Sequence, residues 1–455
     1  MQKNAGGQLL ISLTMLEKLF EIFSKKQFSS IESSTLNIRK SLISYPALAI
    51  IKKLKRSGWD AFIVGGAVRD ILLNVKPKDF DIVTNASPNE VKDLFRRSRI
   101  IGRRFRIVHV YIGNETIEVS TFRKPNVSNS LDSYGRILRD NVFGSIEDDV
   151  KRRDLTINSL YYDPISERIL DYHNGISDLK KRQIVVIGKN KDRLIEDPLR
   201  IVRIIRIAAK LDLTIPLKLK NIMRGFGILL ENIPKARLSD DILKLLVSGK
   251  SLEGINYILE LGLDRHIFPN LCLFYPEKKK GATNLKKDGF IYSALKNLDV
   301  AVGNNETISI SFIFAVLFWE KISKLKMSYV EQGVSDYISM QKATSEILQD
   351  INQNFYFQRK HIAGVRELCL LQARFNKFMG KSPFSLVRHA RFRSALKLLE
   401  LRIKLNEVKI ESVVWWGKFQ GCPDSEKIKM VNVMREKTGQ RRSYRKRKKK
   451  KLSIT

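Results

Sequence analysis

The sequence predicts an α+β protein in which a small mixed β-sheet head precedes an all-helical remainder. Up to about residue 195, short runs with strand periodicity alternate with helical runs across Gly-Gly, Gly-Asn and Asp-Pro turns. Beyond that point only helical spacing remains, opening with Asp197-Pro198-Leu199-Arg200 as cap, first-turn proline and helix. Charge is the third observation: 83 Lys and Arg face 47 Asp and Glu, a net +36. Such an excess opposes compaction unless a polyanion is the usual partner, with RNA or DNA ahead of a membrane surface.

In chain order, residues 1 to about 40 have weak periodicity and much Ser and Asn, and read as an extension. The apolar stretch from Leu9 to Phe23 is interrupted by Glu17 and Lys18, and is too short and too charged to span a bilayer. Leu48, Ile51 and Leu54 have helical spacing that Gly58 ends. Phe62-Ile63-Val64 is a strand running into Gly65-Gly66, and a helix follows. Asp79-Phe80-Asp81-Ile82 alternates with a period of two, placing both carboxylates on one face. Ser87-Pro88-Asn89-Glu90 is a capping box with a first-turn proline, so a helix runs on through Leu94. Arg104 to Ile112 and Thr116 to Arg123 form a hairpin about Gly113-Asn114. Residues 124–140 read as a mobile loop. Leu160 to Tyr162 and Arg168 to Tyr172 pair across Asp163-Pro164, and helices extend to about Met434. From Lys437 to Lys451 there are ten basic residues and no acidic one, which reads as a disordered polybasic tail.

Three cysteines, Cys272, Cys369 and Cys422, lie far apart without C-x-x-C spacing. This pattern offers neither a zinc site nor a disulfide framework and fits a reducing cytoplasm. The chemistry concentrates in the head. Gly65 and Gly66 let backbone N–H groups approach a polyphosphate, Arg69 follows three residues on, and Asp79 and Asp81 offer hard oxygen donors suited to a divalent metal.

These residues resemble the head of the class II template-independent nucleotidyltransferases, the family of tRNA CCA-adding enzymes and bacterial poly(A) polymerases. The resemblance implies transfer of a nucleotide from an NTP to an RNA 3′-hydroxyl, with two Mg²⁺ ions roughly 4 Å apart holding the attacking and leaving oxygens. Asp79 and Asp81 are the expected metal ligands. For a third catalytic carboxylate there are two candidates, Asp154 in Arg152-Arg153-Asp154 and Glu118 in Ile117-Glu118-Val119; Asp154 is favoured and Glu118 is second. By the same resemblance Gly65, Gly66 and Arg69 hold the triphosphate, and Arg152, Arg153 and Asn158 hold the ribose and phosphates. The stretch with Asp171, Gly175 and Asp178 resembles the hinge-and-cap motif joining head to neck.

Glu196-Asp197-Pro198-Leu199-Arg200 resembles the family's base-reading motif. Asp197 as acceptor and Arg200 as donor, one helical turn apart, match the amine beside a ring acceptor that adenine and cytosine share. Guanine and uracil would leave groups unpaired, a mismatch that can reject by a factor on the order of 10⁴. Arg203 and Arg206 continue the stripe. Ile100-Ile101-Gly102-Arg103-Arg104-Phe105-Arg106-Ile107-Val108-His109-Val110 is similar to the stretch that marks the poly(A) branch, with further support from Asp140 to Asp149, from Trp415-Trp416-Gly417-Lys418-Phe419-Gln420 and from the tail. The implied domains are an extension at 1–43, a head at 44–190, a helical neck at 191–270, a helical body at 271–435 and a tail at 436–455. The implied partners are ATP, RNA 3′ ends rather than DNA, and proteins of RNA decay, in the cytoplasm.

Overall fold

The computed structural model describes residues 28–36, 38–102, 106–124, 142–268, 285–287 and 289–437. Arg103, Arg104, Phe105, residues 125–141 and residues beyond Lys437 therefore lie outside the described residues, and with them most of the stretch read as a mobile loop and nearly all of the one read as a polybasic tail. The chain forms two compact units: residues up to Arg200 with Leu213–Leu219, and Ile201–Asp212 with Lys220 onward.

The first unit is built on one eight-stranded sheet. Its strands are β1 (Ser29–Glu32), β2 (Ala61–Val64), β3 (Asp81–Thr84), β4 (Ser98–Ile101), β5 (Ile107–Ile112), β6 (Glu115–Thr121), β7 (Leu160–Asp163) and β8 (Arg168–Asp171), in the order β1-β8-β7-β2-β3-β6-β5-β4. Only β3 and β6 run parallel; every other neighbouring pair is antiparallel. β1 lies within the stretch read as an extension, and its partner is β8, nearly 140 residues away in sequence. β5 and β6 turn through Gly113-Asn114, with Gly113 at φ +59°, as a two-residue hairpin turn requires.

Helix α1 (Tyr45–Arg56) opens on Ser44, whose hydroxyl accepts from the Ala47 N–H at 3.2 Å, and buries Ile50, Ile51 and Leu54 against one sheet face. Each of these side chains stabilises the fold by about 1.5–3 kcal/mol. Helix α2 (Gly66–Leu72) follows β2 directly. α3 (Pro88–Leu94) has the expected capping box, with the Ser87 N–H donating to Glu90 Oε2 at 2.7 Å. The opposite sheet face is covered over β2, β7 and β8 by α4 (Ile146–Arg152), whose Val150 packs with Val64, Val83 and Tyr161. α5 (Gly175–Lys180), α6 (Asn190–Glu196) and α7 (Leu199–Leu211) follow β8.

The described part of the second unit is helical. Ile310–Glu331 and Asp336–Asn354 pack side by side, and Phe314 meets Phe357 edge-on at 4.4 Å. In the helix Ile410–Gly421, Trp416 is fully buried and its indole N–H donates to the Phe375 carbonyl at 3.0 Å. Among the described residues no helix is long and apolar enough to cross a membrane.

Candidate active site

The glycine turn is set by the end of β2. Gly65 takes φ +71°, where a side chain would be strained, and α2 begins at Gly66. A Cβ on Gly65 would stand 3.8 Å from Arg153 Nη1 and 3.9 Å from Asp81 Oδ2. Turn, guanidinium and carboxylate thus meet at one place.

Strand register brings the acids together. Asp81 stands opposite Val64 on β2 and opposite Glu118 on β6, and directly opposed residues share a face. Asp79 precedes the strand and is exposed, with the buried Phe80 between it and Asp81. The alternation expected of the two carboxylates therefore holds, although the strand itself starts only at Asp81. The Asp81 carboxyl is pushed up to about 6, first by the protein crowded around it and then by Glu118; Arg153 opposes the rise and Asp79 adds to it. The residue is exposed by area. His109 Nε2 lies 3.4 Å from Glu118 Oε1.

Asp154 follows Arg153 directly in the chain. Its Oδ1 accepts from the N–H of Leu155 at 2.8 Å, and its charge bears on Arg193. Of the two candidate carboxylates, Glu118 is the one that stands in strand register with Asp81. The reason is the parallel pairing of β3 with β6, which the sequence does not display because the strands β4 and β5 intervene.

The arginines are held by a residue the motif did not single out. Asp149, fully buried on α4, accepts from Arg152 Nε at 2.7 Å, from Arg153 Nε and Nη2 at 3.1 and 3.0 Å, and from the Tyr161 hydroxyl at 2.6 Å. Burial alone would raise its pKa, but Arg153 and then Arg152 outweigh burial, with hydrogen bonds from Tyr161 and Arg152, and hold the carboxyl below its ordinary value. Arg153 also donates from Nε to the Tyr161 hydroxyl oxygen at 2.8 Å. The spacing of Asp149 to Arg152 and Arg153, three and four residues on a helix, was the available signal.

Arg69 lies behind the glycine turn. It is buried, donates twice to Asp70 Oδ1, and donates from Nη1 to Asn158 Oδ1 at 2.7 Å. Asn158 ends a short 3₁₀ turn that begins at Thr156, whose hydroxyl donates to Asp178 Oδ2 at 2.7 Å. A Cβ on Gly175 would come within 2.3 Å of the Thr156 carbonyl oxygen, and Asp171 accepts from the N–H groups of Gly175 and Ile176 at 2.9 and 3.0 Å. Asp171, Gly175 and Asp178 thus brace the turn that carries Asn158.

At the junction of α6 and α7, Arg193 Nη2 donates to the carbonyls of Arg152 and Arg153 at 2.7 and 2.6 Å, and Arg200 Nη1 donates to Glu196 Oε2 at 2.8 Å. Asp197 stands before α7, with its carbonyl accepting from the Arg200 N–H at 3.0 Å. Asp197 and Arg200 are therefore neighbours across a helix start, not two positions on one helix face, because α7 begins only at Leu199. Nothing in the sequence marked Arg193. Arg203 and Arg206 belong to the second unit, where both face Asp241 at 3.6 Å.

Among the described residues no group of three or more His, Cys, Asp and Glu stands ready to enclose a metal. The donors at Asp81 nevertheless suit a divalent magnesium-type cation, which takes one or two carboxylates and completes its shell with substrate phosphates and water. The crowding of negative charge that raises Asp81 is what such a cation would relieve.

Residues 61–185 match the model of the poly A polymerase head domain, 212–274 that of the probable RNA and SrmB-binding site of polymerase A, and 332–451 that of the polymerase A arginine-rich C-terminus. Poly(A) polymerase I of Salmonella typhi is 36% identical over 89% of this chain and 88% of the relative, and that of Escherichia coli O6:H1 is 37% identical over 90% and 89%. The CCA-adding enzyme of Streptococcus uberis, 36% identical, aligns with only 47% of this chain and 52% of its own length. The crystal structure of the Bacillus stearothermophilus CCA-adding enzyme in complex with CTP shares the fold, with a TM-score of 0.58 at 21% identity over 83% of this chain and 82% of that one. A mixed-sheet head of this kind, with its glycine turn facing paired carboxylates and helices following, defines a nucleotidyltransferase. The chain belongs to the poly(A) polymerase family.

Proposed function

We propose that the protein adds AMP from ATP to RNA 3′ ends without a template and releases pyrophosphate. The observation that carries this reading is the meeting of the Gly65 turn, Arg153 and Asp81, with Glu118 in register beside them. The triphosphate lies along the N–H groups of the glycine turn, with Arg153 and Arg152 supplying planar donors to its oxygens. Asp149 and Tyr161 fix Arg153, and Asn158 fixes Arg69 beneath the turn. The terminal 3′-hydroxyl attacks the α-phosphorus, the bond to the β-phosphate oxygen breaks, and the hydroxyl proton passes to the carboxylate cluster or to water. Mg²⁺ held by Asp81, Glu118 and Asp79 would supply positive charge to both the attacking and the leaving oxygen. Arg200, braced by Glu196, and Asp197 read the adenine edge.

Proteins of RNA decay fit as partners of such an activity, and the cysteine spacing fits the cytoplasm as its place. The test offers an RNA with an unpaired 3′ end, Mg²⁺ and each NTP singly. A long ladder with ATP, short additions at most with CTP, and stoichiometric pyrophosphate are expected. Addition of two C and one A to a tRNA lacking its end, followed by a halt and with generic RNA untouched, would overturn the reading in favour of CCA addition.

A further inference from the structure

Beyond Glu118 the sheet presents a face whose polar rows end at the half-buried pair Ile101 and Ile107. His109 stands opposite Glu118, and Arg99 opposite His109, so Asp81, Glu118, His109 and Arg99 form one cross-strand row on a single face. A second row runs beside it: Thr116 opposes Tyr111, whose N–H donates to the Arg97 carbonyl at 2.9 Å. Arg97 and Arg99, two residues apart, share that face. Both arginines are exposed and Tyr111 is half-buried, whereas Val108, Val110, Ile117 and Val119 fill the core on the other side. Blunting an edge strand would account for the two cations. It does not account for a half-exposed tyrosine between them and the catalytic acids.

We propose that this face, over β6, β5 and β4, is the track of the RNA primer: Arg97 and Arg99 hold phosphates of its last nucleotides and Tyr111 stacks under a base. The proposal rests on the transfer reaction above. In-line displacement puts the attacking oxygen and the leaving pyrophosphate on opposite sides of the phosphorus. Across the sheet the order is β2, β3, β6, β5, β4. The glycine turn that receives pyrophosphate lies on the β2 side of Asp81, so the 3′-hydroxyl arrives from the β6 side and the strand behind it passes over β5 and β4. Adjacent strands are about 4.8 Å apart, which puts Arg99 on the order of 14 Å from Asp81, within reach of the nucleotides just behind the terminal one. Guanidinium forks suit phosphate, and base stacking on an aromatic ring tolerates any sequence.

The test uses the full chain and a short oligoadenylate with a free 3′ end, with binding followed by anisotropy without ATP over a salt series. The Arg97→Ala/Arg99→Ala double variant should bind about tenfold more weakly, and its slope of log affinity against log salt should fall by about 1.4, roughly 0.7 per lost contact on a single strand. In extension assays its KM for RNA should rise far more than kcat falls, while ATP affinity measured without RNA stays put. Tyr111→Ala should weaken binding severalfold and Tyr111→Phe should not; the Arg97→Lys/Arg99→Lys pair should recover most of the salt slope. A double variant that melts like wild type and binds the oligoadenylate with unchanged affinity and slope would refute the track. Variants that differ from wild type in RNA binding in these ways, together with a wild-type protein that transfers no AMP, would leave the track standing and remove the polymerase reading instead.

Discussion

Replacing Asp149 with Asn tests whether one buried carboxylate organises Arg152 and Arg153, the arginines proposed to hold phosphate. The side chain is fully buried and receives hydrogen bonds from Arg152, Arg153 and Tyr161. Asn keeps the shape, loses the charge and turns an NH₂ group toward guanidinium donors, leaving Arg153 buried without its counter-ion. Breaking a buried pair from one side costs about 3–5 kcal/mol, a large share of the 5–15 kcal/mol typical of a domain. Urea unfolding at pH 7, with hydrogen exchange of sheet peptides to report the head, should show a loss of at least about 3 kcal/mol. The KM for ATP should rise because Arg153 no longer stands over the Gly65 turn. Acid gives a second reading. The folded-state pKa of Asp149 lies below its unfolded value, so the paired charge stabilises the fold above pH about 4 and that stabilisation drains away as pH falls through the folded value. The Asn variant should therefore lose less stability on acidification than wild type. Stability within about 1 kcal/mol of wild type, together with an unchanged KM for ATP, would refute the reasoning.

Asp79→Asn and Asp81→Asn should each abolish nearly all transfer with no loss of melting temperature, since Asp79 is exposed and the Asp81 charge is crowded by its neighbours; extension rates within a few-fold of wild type would remove both from metal binding. Glu118→Gln should slow extension more than Asp154→Asn, because only Glu118 stands in register with Asp81; the reverse order in the same assay would restore Asp154 as the third carboxylate. Arg200→Ala should narrow the preference for ATP over GTP and UTP in single-nucleotide assays, and unchanged ratios would remove it from base reading. Deleting Lys437 to Thr455 should flatten the salt dependence of RNA binding while sparing turnover on saturating RNA, and an equal slope with and without the tail counts against phosphate contacts there.

What the sequence disclosed about the fold was local. Leu48, Ile51 and Leu54 ahead of Gly58, Ser87 with Glu90, and Gly113-Asn114 are signals that act over a few residues of the element they form, start or turn, and each element is where the signal puts it. Pairings between distant segments were not legible. Ser29–Glu32 has no alternation strong enough to announce a strand, and it becomes one because β8 offers an open edge. β4 was not expected, although Ile100 packs against the core and Arg99 lies on the other face.

The same division runs through the candidate site. Gly65, Gly66 and the alternation of Asp79 and Asp81 were legible because turn and strand geometry act over a few residues. The partnership of Asp81 with Glu118 depends on a parallel pairing that skips two intervening strands, so motif order alone could not choose between Glu118 and Asp154. Arg69 shows a further limit. A residue one helical turn after a glycine pair looks poised for phosphate, yet its guanidinium is already committed to Asp70 and Asn158. Composition does not show which cation already has partners. The Cβ positions separate the two glycines: Gly65 opens toward Arg153 and Asp81, while Gly66 backs onto Arg69 at 3.3 Å. The two glycines therefore have separate reasons, one for the left-handed backbone that aims the turn and one for the close approach of the arginine that holds it from behind.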